Sequence, residues 1–151
     1  MTHHYAISET FGIEAPGHLT IEGLDDGTHP RIPPIKDYVF RREALRDVLA
    51  FLECPEGDGL FVTGPTGSGK TSLLVQVAAR LKWPMHAVTC HGHMELSDLI
   101  GQFTHGVIIL WIANVIDLAI RNAIFIVDDA HQGINTIVYI SKCALLCATI
   151  H

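Results

Sequence analysis

The sequence predicts an α/β fold of the phosphate-loop NTPase type, a parallel sheet flanked by helices, with an irregular N-terminal arm. Three observations predict it. A glycine-rich run, Gly64-Pro65-Thr66-Gly67-Ser68-Gly69-Lys70-Thr71, lies between the apolar stretch Leu60-Phe61-Val62 and a helical pattern of Leu74, Val77, Ala78 and Leu81. After that helix Trp83-Pro84 breaks the pattern and residues 85–89 read as a second strand, which makes a strand–loop–helix–strand unit. Further on, Ala123-Ile124-Phe125-Ile126-Val127 is apolar throughout and ends in Asp128-Asp129. A strand covered on both faces of a parallel sheet reads that way.

Taken in order, residues 1–37 are rich in Gly, Pro, His and acidic side chains. Gly23-Leu24-Asp25-Asp26-Gly27 and Pro30-Arg31-Ile32-Pro33-Pro34 read as turns or extended chain. This part is expected to be an arm and not core, with a core domain over residues 38–151. From Arg41 the pattern becomes helical: Leu45, Val48, Leu49 and Leu52 make one apolar stripe, with Arg42, Glu43, Arg46, Asp47 and Glu53 on the wet side. Cys54-Pro55-Glu56-Gly57-Asp58-Gly59 ends that helix. The strand Leu60 to Thr63 follows, then the loop, then a helix to about Lys82.

Glu95-Leu96-Ser97-Asp98-Leu99-Ile100 reads as a short helix ended by Gly101. Residues 106–127 then carry only Asp117 and Arg121 as formal charges, and residues 134–150 form a second apolar run interrupted by Lys142. Two membrane spans are the rival architecture for these runs. Against it, an Asp or Arg centred in a membrane helix costs about 2.5–3.5 kcal/mol on insertion scales. The preferred reading is a buried helix over residues 107–121 followed by the strand at 123–127.

The pattern GxxxxGK[ST] has a mechanical meaning. Glycines let successive N–H groups turn into one concavity that cradles phosphates, and the following helix adds roughly half a positive charge at its N-terminus. The candidate nucleotide contacts are Gly64, Pro65, Thr66, Gly67, Ser68, Gly69, Lys70, Thr71 and Ser72. Lys70 is expected to neutralise the β- and γ-phosphates of ATP, and Thr71 to share a Mg²⁺ ion with Asp128. Asp129 is then placed to orient or deprotonate a water molecule, which makes Lys70 and Asp129 the catalytic candidates. Two other readings of the acids stay open: Asp128-Asp129 as an acidic turn capping the next segment, and Asp117 as a weaker magnesium-side candidate.

A formal net charge of −6 gives no electrostatic footprint for nucleic acid. The four cysteines are scattered and no secretory leader opens the chain, so a cytoplasmic setting with free thiols is expected. Cys90-His91-Gly92-His93, completed by Cys143 or Cys147, invites a metal reading, but only half of a zinc-type spacing is present.

Several stretches also resemble a family. Asp37-Tyr38-Val39-Phe40, Val62 through Thr71, Gln76-Val77-Ala78-Ala79-Arg80-Leu81-Lys82-Trp83-Pro84 and Asp98-Leu99-Ile100-Gly101 are similar to AAA+ ATPases of the MoxR type, with the cobaltochelatase ATPase subunit and its relatives nearest. Phe11-Gly12-Ile13 resembles the start of those proteins. The resemblance is specific over about residues 35–104. It implies an incomplete AAA+ large subdomain within an ATP-driven homo-oligomeric ring that acts on a partner protein carrying a metal-ion-binding domain. By position it carries residues 64–71 over as the nucleotide loop and Asp128 as the Mg²⁺-side acid. Asp129 departs from the family's Glu, one methylene shorter. The run Cys143-Ala144-Leu145-Leu146-Cys147-Ala148-Thr149 resembles the strand before the family's sensor residue, with His151 near the place of the usual Asn. No arginine finger and no lid are expected to follow. A small phosphate-loop kinase or other NTPase, and a nucleotide-dependent interaction module without turnover, are the alternatives.

Overall fold

The computed structural model describes residues 2–54, 59–89, 122–129 and 133–141. The expected helices at 95–100 and 107–121, the Cys90, His91 and His93 cluster, Asp117, Cys143, Cys147 and His151 lie outside the described residues.

The chain begins with a hairpin. Strand β1 (Thr2–Ala6) pairs antiparallel with β2 (Thr20–Leu24), in register from Thr2 against Leu24 to Ala6 against Thr20. Helix α1 (Ile7–Phe11) lies between them and ends at Gly12. This corrects the expectation of an irregular arm outside the core. Phe11, Ile21 and Leu24 are at most 4% exposed and join the main apolar cluster. Strands of five residues are too short for their alternation to stand out against a Gly- and Pro-rich background. Gly23 marks the docking point, since a Cβ there would come within 2.7 Å of the Leu81 carbonyl oxygen.

Helix α2 (Arg42–Glu53) forms where its apolar stripe predicts. Leu45, Val48, Leu49 and Leu52 are all buried, and Arg42, Glu43, Arg46, Asp47 and Glu53 are exposed. Strand β3 (Gly59–Gly64) leads into the loop, and helix α3 (Lys70–Arg80) leaves it. Leu74, Val77, Ala78 and Leu81 are fully buried. The helix ends in a Schellman motif: Trp83 N–H donates to the Ala78 carbonyl at 2.9 Å and Lys82 N–H to that of Ala79 at 3.3 Å. Lys82 takes the left-handed position that glycine usually fills, with φ 55°. Its ammonium reaches back to the Asp25 carbonyl at 2.8 Å, which fastens the hairpin to the end of α3.

Strands β4 (Met85–Thr89), β5 (Asn122–Asp129) and β6 (Gly133–Ser141) complete a four-stranded sheet in the order β3-β5-β6-β4. The β3–β5 pair is parallel, whereas β6 runs antiparallel to both β5 and β4. Two antiparallel steps restore direction, so β3, β4 and β5 point the same way. The wholly parallel sheet expected from sequence is therefore a mixed one. The signal for β6 lies in Ile134, Thr136, Ile137, Val138 and Ile140, which are β-branched residues suited to a pleated surface. The described parts of both long apolar runs are thus paired strands, and no described helix is long and apolar enough to cross a membrane.

The core lies between α2, α3, the hairpin and β6. Val138 and Ile140 are fully buried with Leu45, Leu52, Leu74, Val77 and Leu81, and Trp83 is 1% exposed. Each such aliphatic side chain contributes about 1.5–3 kcal/mol when fully buried. One face of α3 is held in this way, which leaves its N-terminus fixed at the end of β3.

Candidate functional site

The candidate phosphate loop is the connection between β3 and α3. Gly64 is the last residue of β3, Pro65, Thr66 and Gly67 form the exposed tip, and Ser68 and Gly69 turn back half-buried towards the helix. Ser68 N–H donates to the Pro65 carbonyl at 3.2 Å, which closes the turn. Gly69 caps α3 in the left-handed region at φ 85°, and its carbonyl accepts the Leu73 N–H at 2.8 Å. A side chain at Gly69 would be strained by that φ, so the residue type follows from the turn the loop must make.

Lys70 opens α3, and its ammonium donates to the Gly64 and Pro65 carbonyls, both at 2.9 Å. The positive charge is therefore drawn over the loop and linked to its root. Thr71 is half-buried and Ser72 exposed, both in the first turn of α3, where amides lack intrahelical partners. No acidic side chain occupies that first turn. Loop amides, a lysine and a hydroxyl make a donor set for a polyanion and its counter-cation, with no carboxylate on that turn to oppose it. A Cβ built on Gly67 would meet nothing within 4 Å, so the loop tip is open there.

The acidic pair comes from β5. In the parallel ladder Thr63 stands beside Asp128 and Gly64 beside Asp129. The backbone carrying both acids thus reaches the same sheet edge as the root of the loop. The ladder to β6 shifts register between Val127 and Asp128, because Val127 pairs with Thr136 and Asp128 with Ile134. An extra residue on β6 at that step increases the local twist where the acids begin, a placement common beside functional sites. Among the described residues, no group of three or more His, Cys, Asp or Glu is arranged to hold a metal by itself.

One side of the loop is lined by residues that the sequence motif does not name. Residues 34–40 run along α3 towards the loop, with Tyr38 half-buried and Phe40 buried, while Ile35 and Val39 face outward. The Tyr38 hydroxyl lies 3.5 Å from the Gly69 carbonyl, and burial pushes its phenol pKa up against the opposing pull of Arg41. Tyr38 meets Phe40 edge to face at 4.9 Å, Phe40 meets Phe11 at 5.1 Å, and the Arg80 guanidinium sits 4.8 Å over the Phe40 ring. Gln76, 3% exposed, bonds this segment to the helix. A glutamine within the otherwise apolar stripe of α3 was the available sequence signal for it.

The profile of the AAA domain, dynein-related subfamily, matches residues 59–137. The aerobic cobaltochelatase subunit CobS of a Sinorhizobium species is 33% identical over 97 residues, covering 64% of this chain and 28% of that protein. Protein NorQ of Paracoccus denitrificans is 39% identical over 59 residues, 38% of this chain and 22% of its own length. The denitrification regulatory protein NirQ of Stutzerimonas stutzeri is 38% identical over 50 residues, 33% of this chain and 18% of its own length. The chain thus spans less than a third of each of these relatives. No solved structure matches it significantly.

Proposed function

The chain belongs to the dynein-related subfamily of AAA domains, and on that premise we propose that it binds ATP with Mg²⁺ and hydrolyses it in the service of a partner protein. The observation that carries this reading is the parallel register of β3 and β5, which sets Thr63 beside Asp128 and Gly64 beside Asp129 at the root of the phosphate loop. Residues 64–72 hold the triphosphate through the N-terminus of α3 and their backbone amides, Pro65 contributing shape but no N–H. Lys70 gives up its bonds to the Gly64 and Pro65 carbonyls and turns its charge to the β- and γ-phosphates. Thr71 and Asp128 are the residues that would hold Mg²⁺, which supplies charge neutralisation when bound. Asp129 orients or deprotonates the attacking water, and its short side chain makes turnover slow.

The names of the relatives suggest the kind of partner. CobS is a subunit of a cobaltochelatase, and NirQ is a denitrification regulatory protein. We extend this to a homo-oligomeric ring in the cytoplasm that remodels a subunit bearing a metal-ion-binding domain. The first test is Lys70→Ala: binding of a fluorescent ATP analogue falls by more than about tenfold, a loss of roughly 1.4 kcal/mol or more. Unchanged affinity sinks the nucleotide assignment. Tight binding without phosphate release would identify an interaction module, and transfer of phosphate to an added acceptor would identify a kinase.

A further inference from the structure

The buried polar group on α3 that the phosphate chemistry does not use is the Gln76 carboxamide. Its Oε1 accepts the Lys36 N–H at 2.9 Å and an Arg80 guanidinium N–H at 2.8 Å, while its Nε2 donates to the Pro34 carbonyl at 3.3 Å. Two donors on one side and a carbonyl on the other fix the orientation of the amide, with three of its four bonding positions used. The group is 3% exposed, so those bonds have little competition from water. Arg80 is in turn held over Phe40, so the same carboxamide fixes both ends of the segment. From this anchor the chain extends to Tyr38, whose hydroxyl lies 3.5 Å from the Gly69 carbonyl. Gly69 is the residue whose left-handed turn leads the loop into α3.

We propose that Gln76 is a positioning residue for the phosphate loop: it clamps residues 34–36 to α3 so that Tyr38 braces the Gly69 turn in its phosphate-receiving shape. The inference rests on the nucleotide reading above and deepens it. Bracing acts on the loop itself, so it changes affinity for a bare phosphate chain as much as for a nucleotide. A segment that served only to touch the base would change nucleotide affinity alone.

The experiment measures binding of a fluorescent ATP analogue to the full chain, and its displacement by inorganic tripolyphosphate, for wild type, Gln76→Met and Tyr38→Phe. Gln76→Met keeps the volume and loses all three bonds. Tyr38→Phe keeps the ring and loses only the hydroxyl, which guards against a misfolded first variant. Thermal melting is recorded for each, and affinities are referred to the folded fraction. The expected result is a loss of about tenfold for Gln76→Met and about threefold for Tyr38→Phe, equal for both ligands, as loss of preorganisation requires. A fall for the ATP analogue with tripolyphosphate unchanged would overturn bracing in favour of base contact. A lower melting temperature with both affinities unchanged would overturn it in favour of a purely structural role. A wild type that binds neither ligand would remove the nucleotide reading, and the bracing role with it.

Discussion

Gly64 and Asp129 are register partners across two parallel strands, so the residue that opens the phosphate loop lies beside the second acid of the pair. The acids and the loop come from distant parts of the chain and meet only because β3 and β5 pair in this register. On this arrangement Asp128→Asn should weaken the Mg²⁺ dependence of ATP binding. Asp129→Asn should leave binding intact and lower turnover about 10²–10⁴-fold, the span of general-base catalysis. Magnesium titrations of analogue binding, together with phosphate release, test the pair. Turnover unaffected by Asp129→Asn would remove it as the base.

Gly69 is held at φ 85°, where a Cβ would still find ordinary contact with Tyr38 at 3.5 Å. Strain from the backbone, and not collision, is what a side chain meets there. Gly69→Ala should therefore cost about 1–2 kcal/mol of stability and weaken analogue binding together. Denaturant unfolding and binding on the same sample check it. A stability loss below a few tenths of a kcal/mol would mean that the loop relaxes to another turn.

Phe11 decides whether the N-terminal segment belongs to the core. It is 4% exposed, lies edge to face with Phe40, and sits far from the phosphate motif in sequence. Phe11→Ala should cost about 3–5 kcal/mol, as for other buried aromatic truncations. A solvated arm would give within about 0.5 kcal/mol of wild type, typical of surface changes. Equilibrium unfolding in urea distinguishes the two.

His29 supplies a pH dependence. Its Nδ1 accepts the Arg31 N–H at 3.1 Å, while Nε2 is buried and finds no hydrogen-bond partner among the described residues. Burial, and then the nearby Arg31 charge, lower its pKa below the ordinary 6.5. A lowered folded-state value means the unfolded chain binds the proton more readily. The stability contributed by neutral His29 is thus complete above 6.5 and lost as pH falls through the folded value. Protonation also removes the lone pair that accepts from Arg31, whose own carbonyl receives the Met85 N–H at 3.0 Å. His29→Ala should cost about 0.5 kcal/mol at pH 7.5, the low end for a hydrogen bond at a partly exposed site. The gap from wild type should close towards pH 5. Melting curves of both proteins across that range check it, and a constant gap would show that His29 does not titrate with folding.

The local features follow from short-range patterns in the chain: α2 from its stripe of Leu45, Val48, Leu49 and Leu52, the turn of the candidate phosphate loop from its glycines, and α3 with its end near Trp83-Pro84. Each is encoded within a few residues by helical period or by allowed backbone angles, so each could be read without knowing what lay across the sheet. The apolar strand ending in Asp128-Asp129 was also legible, as a residue pattern. Which elements meet became visible with the fold. It placed β6 antiparallel between β5 and β4, docked the hairpin through Gly23 and Leu24 onto the end of α3, and joined Lys36 and Pro34 to Gln76. Apart from β5 and β6, which follow each other in the chain, those pairings join residues far apart in sequence, and their stability comes from burying apolar faces together and satisfying buried polar groups. No local window carries that information.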